Sequence, residues 1–336
     1  MRKNPVTINL GWGSHYFENK IYDRVNILVE EFESQTISIS DPTIENIVHR
    51  HLYEPRHLYV VKNCVLNTFT GKAALGNRDL RSTGAPHLVS RRRHPRFSWL
   101  QPRKQAGLTY VIPSVPYYHW LIEELPLVIS VARRLPEVNF VHDPRLPNYA
   151  RQALKLLGVE SEETTRLLNC ERAVLSLRDK DTGWPRPDDV QLLRDKILAG
   201  GAFQTRDKKG DSKIHIIRGK AQRSPTNENE MVRALNKVGF TTLDLTDLPW
   251  IKQVDLFFHA DLVVAQHGAG LSNVVFCKPG TRVIELSNPS YSNPCFEILA
   301  KWVDLKFERL KIGEDQNSNP LIGVSEVYRT LTLLSN

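Results

Sequence analysis

The sequence predicts an α/β protein with a doubly wound parallel sheet in its C-terminal half, and three observations predict it. Apolar, β-branched runs (IHII at 214–217, FTTL at 240–243, LVVAQ at 262–266, RVIEL at 282–286) alternate with segments whose apolar residues recur at helical spacing. The intervals between runs are long enough for the crossover helix that parallel strands require. A Gly-containing turn, HGAG at 267–270, follows directly on one of the most apolar runs and opens a short helix, at the strand end where ligands of such sheets bind.

The elements follow in order along the chain. HLYVVKNCVLNTFTG (57–71) is β-branched and aromatic, ends in Gly71 and fits a strand pair. Arg91, Arg92, Arg93, His94 and Arg96, followed by Arg103 and Lys104, form the densest basic cluster and read as a loop. LTYVIP (108–113) fits a buried strand, and 117–135 has helical spacing with a kink expected at Pro126. NFVHD (139–143) is the next strand, and YARQALKLLG (149–158) is a helix stopped by Gly158. RDKDTGWPRPDD (178–189) gathers Pro, Gly and charge and predicts a domain connection. The expected division is therefore 1–185, 186–310 and a tail, 311–336, packing back on the N-terminal domain.

Beyond residue 185 come strand SKIHIIRG and a helix from Asn227 to Val238 closed by Gly239, with Asn227 and Glu230 at capping-box spacing. Strand FTTLDL, helix PWIKQVDLFFHAD and strand LVVAQ follow. After the HGAG turn come a short helix starting near Ser272, strand TRVIEL and a last helix around 294–303.

Composition narrows the function classes. With 336 residues, 41% hydrophobic and 24% charged, the chain has the makings of two ordinary globular domains. The start, MRKNPVTINLGWG, lacks an apolar signal-peptide core, and no uninterrupted apolar run reaches the ~18 residues of a membrane span, so a cytoplasmic chain is expected. Cys64, Cys170, Cys277 and Cys295 have no zinc-ligand spacing and read as reduced, structural thiols. The +8 formal charge suits nucleic acid, an anionic membrane surface or a phosphorylated substrate. No base-stacking or nucleic-acid motif accompanies the basic cluster, which leaves a solvated loop or contact with a membrane face or charged acceptor.

Candidate site residues are those that follow the apolar runs. Arg218 ends IHIIR, with Arg223 five residues on; His267, Gly268, Ala269 and Gly270 follow LVVAQ; Glu285 lies near the end of TRVIEL. Guanidinium groups and backbone N–H groups at a helix start can meet diphosphate oxygens, and a carboxylate can accept from ribose hydroxyls. Each has a plain alternative. The glycines can serve packing, His267 can be a satisfied core histidine, and the arginines can form surface ion pairs.

A second constellation is His119 with Glu123, four apart on one helix face among apolar neighbours, with Glu124 a step around. Burial would raise the carboxylate's pKa and suit a general base oriented by the His. The alternative is an i,i+4 pair that docks two domains.

HWLIEELP (119–126), IIRGKAQRSPTNENE (216–230) and AQHGAGLSNVVFCKPGTRVIEL (265–286) resemble glycosyltransferase family 61. That family includes bacterial capsule-type transferases, plant β-1,2-xylosyltransferases and eukaryotic transferases that extend O-linked sugars. The resemblance runs from about residue 57 to 310 and is most specific at HGAGL. It implies a GT-B architecture of two Rossmann-like domains facing a cleft, inverting chemistry and a UDP-sugar donor, with no obligatory metal or other cofactor. Carried over by motif, Arg218, His267, Gly268, Ala269, Gly270 and Asn273 would hold the donor, and His119 with Glu123 would face a glycan or glycoconjugate acceptor. In plant-like members of the family the position of Glu123 looks to be Asp, so an acid four after the His is the expected feature, and an acidic residue is expected where Lys252 stands. The Asp179/Asp181 pair lies in the connection and reads as linker polarity. Glu123 is the expected base. Transfer of xylose or N-acetylglucosamine is the expected activity, and a non-catalytic nucleotide-sugar or glycan-binding protein of the same fold is the alternative.

Overall fold

The computed structural model describes residues 25–29, 57–75, 78–79, 102–165, 167–176, 183–199, 212–218, 224–287, 293–315 and 320–335. They fall into two compact units. The first holds the described residues up to 115 and from 127 to 176; the second holds 116–126 and everything described from 183 onward. Segment 116–126 was expected in the N-terminal domain. It belongs to the second unit because Tyr117 and Glu123 find their hydrogen-bond partners there.

The first unit is built on eight strands: β1 (Val25–Val29), β2 (His57–Asn67), β3 (Ala73–Leu75), β4 (Arg78–Asp79), β5 (Arg103–Ile112), β6 (Asn139–His142), β7 (Ser161–Glu163) and β8 (Leu167–Ser176). Their order is β4-β3-β2-β8-β5-β6-β7, with β1 also alongside β2. From β8 to β7 neighbouring strands are parallel, whereas β2 is antiparallel to β1, β3 and β8. The sheet is thus mixed, and only part of it has the parallel pairing of a Rossmann-like layer.

Residues 57–71 form one long strand and a turn, where the sequence suggested a strand pair. The Asn67 side-chain oxygen accepts the N–H groups of Phe69 and Thr70, both at 3.0 Å, and Gly71 takes φ 69°, which returns the chain as β3. Arg103 and Lys104 were expected in a loop with the basic cluster. They open β5 instead, with Arg103 paired to Glu162 at 2.7 Å; residues 91–96 lie outside the described residues. Val61, Leu66, Val111, Val141, Leu168 and Leu175 make the core around Cys64 and Cys170, which face each other in register. Burial pushes both thiols up to about 12, and all four cysteines are buried free thiols.

Helix α1 (117–134) carries its kink as a widened turn. Trp120–Glu124 form a π-turn in which the Leu125 N–H donates to the Trp120 carbonyl, immediately ahead of Pro126. Proline has no N–H for the Ile122 carbonyl, and its ring crowds that oxygen, so the backbone widens rather than breaks. α2 (Asn148–Leu156) ends where Gly158 turns left-handed at φ 66°.

The second unit contains α3 (Pro187–Leu198), β9 (Lys213–Ile216), α4 (Glu228–Lys237), β10 (Phe240–Leu243), α5 (Trp250–His259), β11 (Leu262–Gln266), β12 (Arg282–Ser287), α6 (Cys295–Val303), β13 (Lys306–Lys311), the hairpin β14 (Gly313–Glu314) and β15 (Pro320–Leu321), and α7 (Val324–Ser335). Its five-stranded sheet is parallel throughout, in the order β10-β9-β11-β12-β13. Met231 and Leu235 of α4, Val327 and Leu331 of α7, and Leu262, Val264, Ile284 and Leu286 of the sheet share one core. Val263 and Val283, alternating with these, face the other side.

Within the second unit the Tyr328 hydroxyl donates to the Ala234 carbonyl, and α7 covers the sheet beside α4. Two local expectations are corrected by the geometry of this unit. The Asn227 capping box does not form, because the Asn227 amide instead exchanges hydrogen bonds with the Ile322 backbone (2.9 and 3.0 Å), tying α4 to the C-terminal hairpin. The helix after HGAG starts at Ala269, not Ser272, and is a 3₁₀ helix, Ala269–Phe276. Among the described residues, no helix is long and apolar enough to cross a membrane.

His215 lies buried in β9 with its Nδ1 3.4 Å from the Thr242 hydroxyl, and desolvation lowers its pKa to about 4. The unfolded chain then binds this proton first, near the usual pKa of about 6.5, so the contribution is complete above that pH and is lost as pH falls toward about 4. Denaturant unfolding at pH 7.5, 6 and 5 should show a loss of roughly 2 kcal/mol that is absent in His215→Leu. An identical pH dependence in the variant would place the titration elsewhere.

Candidate functional site

The strand order of the second unit reverses between β9 and β11, so the crevice beyond their carboxyl ends is the topological switch point where such sheets bind ligands. Arg218 follows β9 and His267 follows β11, and the two meet there: Arg218 Nη1 donates to the His267 carbonyl at 2.5 Å. The backbone of Arg218 is held in turn, its N–H donating to Glu228 Oε1 at 2.8 Å. A Cβ at Gly268 would stand 2.5 Å from Arg218 Nη1, so glycine at that position is what allows the guanidinium to lie across the turn. At Gly270 a Cβ would meet Leu245 and Ile216 side chains at 3.3 and 3.5 Å, a packing constraint only. Ala269 and Gly270 open the 3₁₀ helix, and the first N–H groups of a helix have no intrahelical partner.

Glu285 was expected to reach a ligand hydroxyl. It is instead fully buried, with Oε1 2.5 Å from His267 Nδ1 and Oε2 accepting from Arg309 Nε at 2.7 Å. Its part is to orient the histidine. Arg309, register partner of Glu285 on β13, also meets Glu297 at 3.2 Å, and its guanidinium lies 5.8 Å from the Phe307 ring centre. Asn273 is likewise committed to the scaffold. Its oxygen accepts from the Tyr117 hydroxyl at 2.5 Å, and its amide donates to Gln253 Oε1 at 3.1 Å and to the Gly270 carbonyl at 3.2 Å. Trp250 Nε1 donates to the same Tyr117 hydroxyl at 3.1 Å. This network fixes the HGAG turn against α5 and the start of α1. Arg223, Asp179 and Asp181 lie outside the described residues, and Lys252 is exposed on α5.

His119 and Glu123 form a pair in the same unit. His119 Nδ1 is 2.5 Å from Glu123 Oε2, and Glu123 Oε1 accepts the Gly183 N–H at 2.8 Å. The π-turn brings the two side chains together while burying Trp120, Leu121 and Ile122. Gly183, at φ 104°, also receives the Tyr118 hydroxyl on its carbonyl at 2.6 Å. Glu124 is fully buried. Packed rings connect the two constellations: His119 to Tyr118 at 5.2 Å and Tyr118 to Phe296 at 5.7 Å, both edge to face, and Phe296 to His267 at 5.0 Å between centres, tilted.

The sequence reading missed Tyr117, Gly183, Phe296 and Arg309. Tyr117 had only the signal of an aromatic two residues before His119, and Phe296 had none that set it apart from other core aromatics. Arg309 had none, because nothing in FERLK tells which charge on an edge strand turns inward.

A parallel doubly wound sheet with an arginine and a glycine-flanked histidine at its switch point defines an α/β protein with a Rossmann-like unit. The profile of the Glycosyltransferase 61 family matches residues 117–284, half of the chain, and the chain belongs to that family. It is 26% identical over 111 residues to a beta-1,2-xylosyltransferase of Arabidopsis thaliana, a match covering 29% of this chain and 21% of the plant protein. It is 30% identical over 61 residues to a beta-1,2-xylosyltransferase of Oryza sativa subsp. japonica, covering 18% of this chain and 11% of that protein. The matched stretches thus span a minor part of both relatives. A variant flavo di-iron protein from Thermotoga maritima superposes with a TM-score of only 0.30 at 11% identity, covering 64% of this chain and 51% of that one, a likeness too slight to bear on the fold.

Proposed function

We propose that this chain is an inverting, metal-independent glycosyltransferase that moves a sugar from a UDP-sugar to a glycan hydroxyl, its two units serving as the two domains of a GT-B enzyme. The observation that carries the proposal is a His–carboxylate pair, His119/Glu123, in the same unit as the Arg218/His267 switch-point crevice. The names of the plant relatives favour xylose as the sugar.

The pair's geometry favours a reversal of the expected roles. Both oxygens of Glu123 already accept hydrogen bonds, which suits a carboxylate that orients rather than one that takes the proton. With Nδ1–H donated to Glu123, the basic lone pair of His119 is on Nε2. His119 Nε2 takes the proton of the acceptor hydroxyl, whose oxygen attacks the anomeric carbon. The bond from that carbon to the β-phosphate oxygen breaks, its electron pair leaves with UDP, and a single displacement inverts the centre. Arg218, His267 and the N–H groups that open the 3₁₀ helix meet the charge growing on the leaving diphosphate.

A thermal-shift panel with UDP, GDP, CDP and ADP, with and without EDTA, tests the donor site. At a concentration of about 100 Kd, UDP should stabilise by about 2.7 kcal/mol, roughly 5 °C or more, unaffected by EDTA and lost in His267→Ala. No shift with any nucleotide would sink the proposal, and dependence on a divalent cation would remove its metal-free part. Binding of UDP-sugar with no release of UDP would leave a non-catalytic binding protein.

A further inference from the structure

We propose that Arg309 is a positioning residue for the donor diphosphate, acting through Glu285 to hold the Nε2 edge of His267 toward it. This rests on the reading of His267 as a phosphate ligand. Glu285 and Arg309 are register partners on neighbouring parallel strands, so their side chains leave the sheet on the same side and their meeting is built into the strand pairing. Glu285 is fully buried, and an ionised carboxylate can only accept. One oxygen takes Arg309 Nε at 2.7 Å, which fixes the other at 2.5 Å from His267 Nδ1. Glu297 holds the outer end of the guanidinium at 3.2 Å, and Phe296 packs on the imidazole.

Partners therefore run in sequence from Glu297 through Arg309 and Glu285 to His267 Nδ1. Removing Arg309 leaves the buried carboxylate with one partner and room to rotate, and the imidazole loses its anchor. Neither Arg309 nor Glu285 lies within the stretch that matches the family profile.

The test uses the full chain and two readouts. Short Nδ1–H···carboxylate hydrogen bonds give far-downfield proton resonances, and this protein has two such pairs at 2.5 Å, His267/Glu285 and His119/Glu123, each assigned by its loss in a His→Gln variant. Arg309→Met should lose or shift the His267 resonance, keep the His119 one as an internal control, bind UDP about tenfold more weakly and bind uridine as wild type does. Arg309→Lys should recover part of both effects. An unchanged His267 resonance with UDP affinity within twofold of wild type would overturn the proposal. If Arg309→Met does not fold, Arg309→Gln and Arg309→Lys replace it: the resonance kept by Lys and lost by Gln supports the proposal, and kept by both overturns it. A wild type with both resonances, the expected response to Arg309→Met, and no affinity for UDP removes the donor reading of the site and leaves the anchoring of His267 standing.

Discussion

His119→Ala should release UDP from its UDP-sugar about a thousandfold more slowly than wild type while binding UDP within a factor of two. The histidine is on the start of α1, and its known partner is Glu123, not the Arg218/His267 turn, so its loss removes proton transfer and spares the donor contacts. Glu123→Gln should cost less, roughly a hundredfold, because an amide can still hold the imidazole while offering no charge to it. Added imidazole should restore part of the rate to His119→Ala and none to Glu123→Gln. Rescue is the deciding readout. If Glu123→Gln were as inactive as His119→Ala and imidazole rescued neither, Glu123 would be the base.

Gly268→Ala should weaken UDP binding by about tenfold or more, and Gly270→Ala should leave it nearly unchanged, although each adds one methyl group to the same turn. The methyl at 268 falls 2.5 Å from Arg218 Nη1 and drives the guanidinium off the His267 carbonyl, whereas the methyl at 270 meets apolar side chains that can give by tenths of an ångström. The end of an arginine can move, so Gly268→Ala should still fold, with an unfolding midpoint near that of wild type. Titration calorimetry with UDP separates the two variants. Equal affinities would mean that the position of Arg218 across the turn has no part in binding the donor.

The regular elements were legible because each carries its own local signal. Alternating apolar runs marked β9 to β12, and Gly158 and Gly239 marked helix ends through their left-handed backbone. β13 was passed over, since four of the six residues of KFERLK are charged and it reads as surface; only its pairing with β12 makes it a strand. The capping box at Asn227 looked sound for the opposite reason. Its spacing is local, but the competing partner, the Ile322 backbone, lies 95 residues away in sequence.

By itself the sequence determined the α/β class, the parallel second sheet, and the residues that stand at its strand ends, because a period of two or 3.6 and the residue after an apolar run are properties of neighbours along the chain. It also singled out His119 with Glu123, since four residues on a helix is a fixed distance. Only the tertiary structure decided which unit that helix start joins, that Glu285 and Asn273 are consumed in holding His267 and the turn, and that Arg309 stands behind them. Those outcomes depend on which distant groups compete for the same buried oxygen or amide, and such competition is settled by packing in three dimensions, where sequence separation carries no weight.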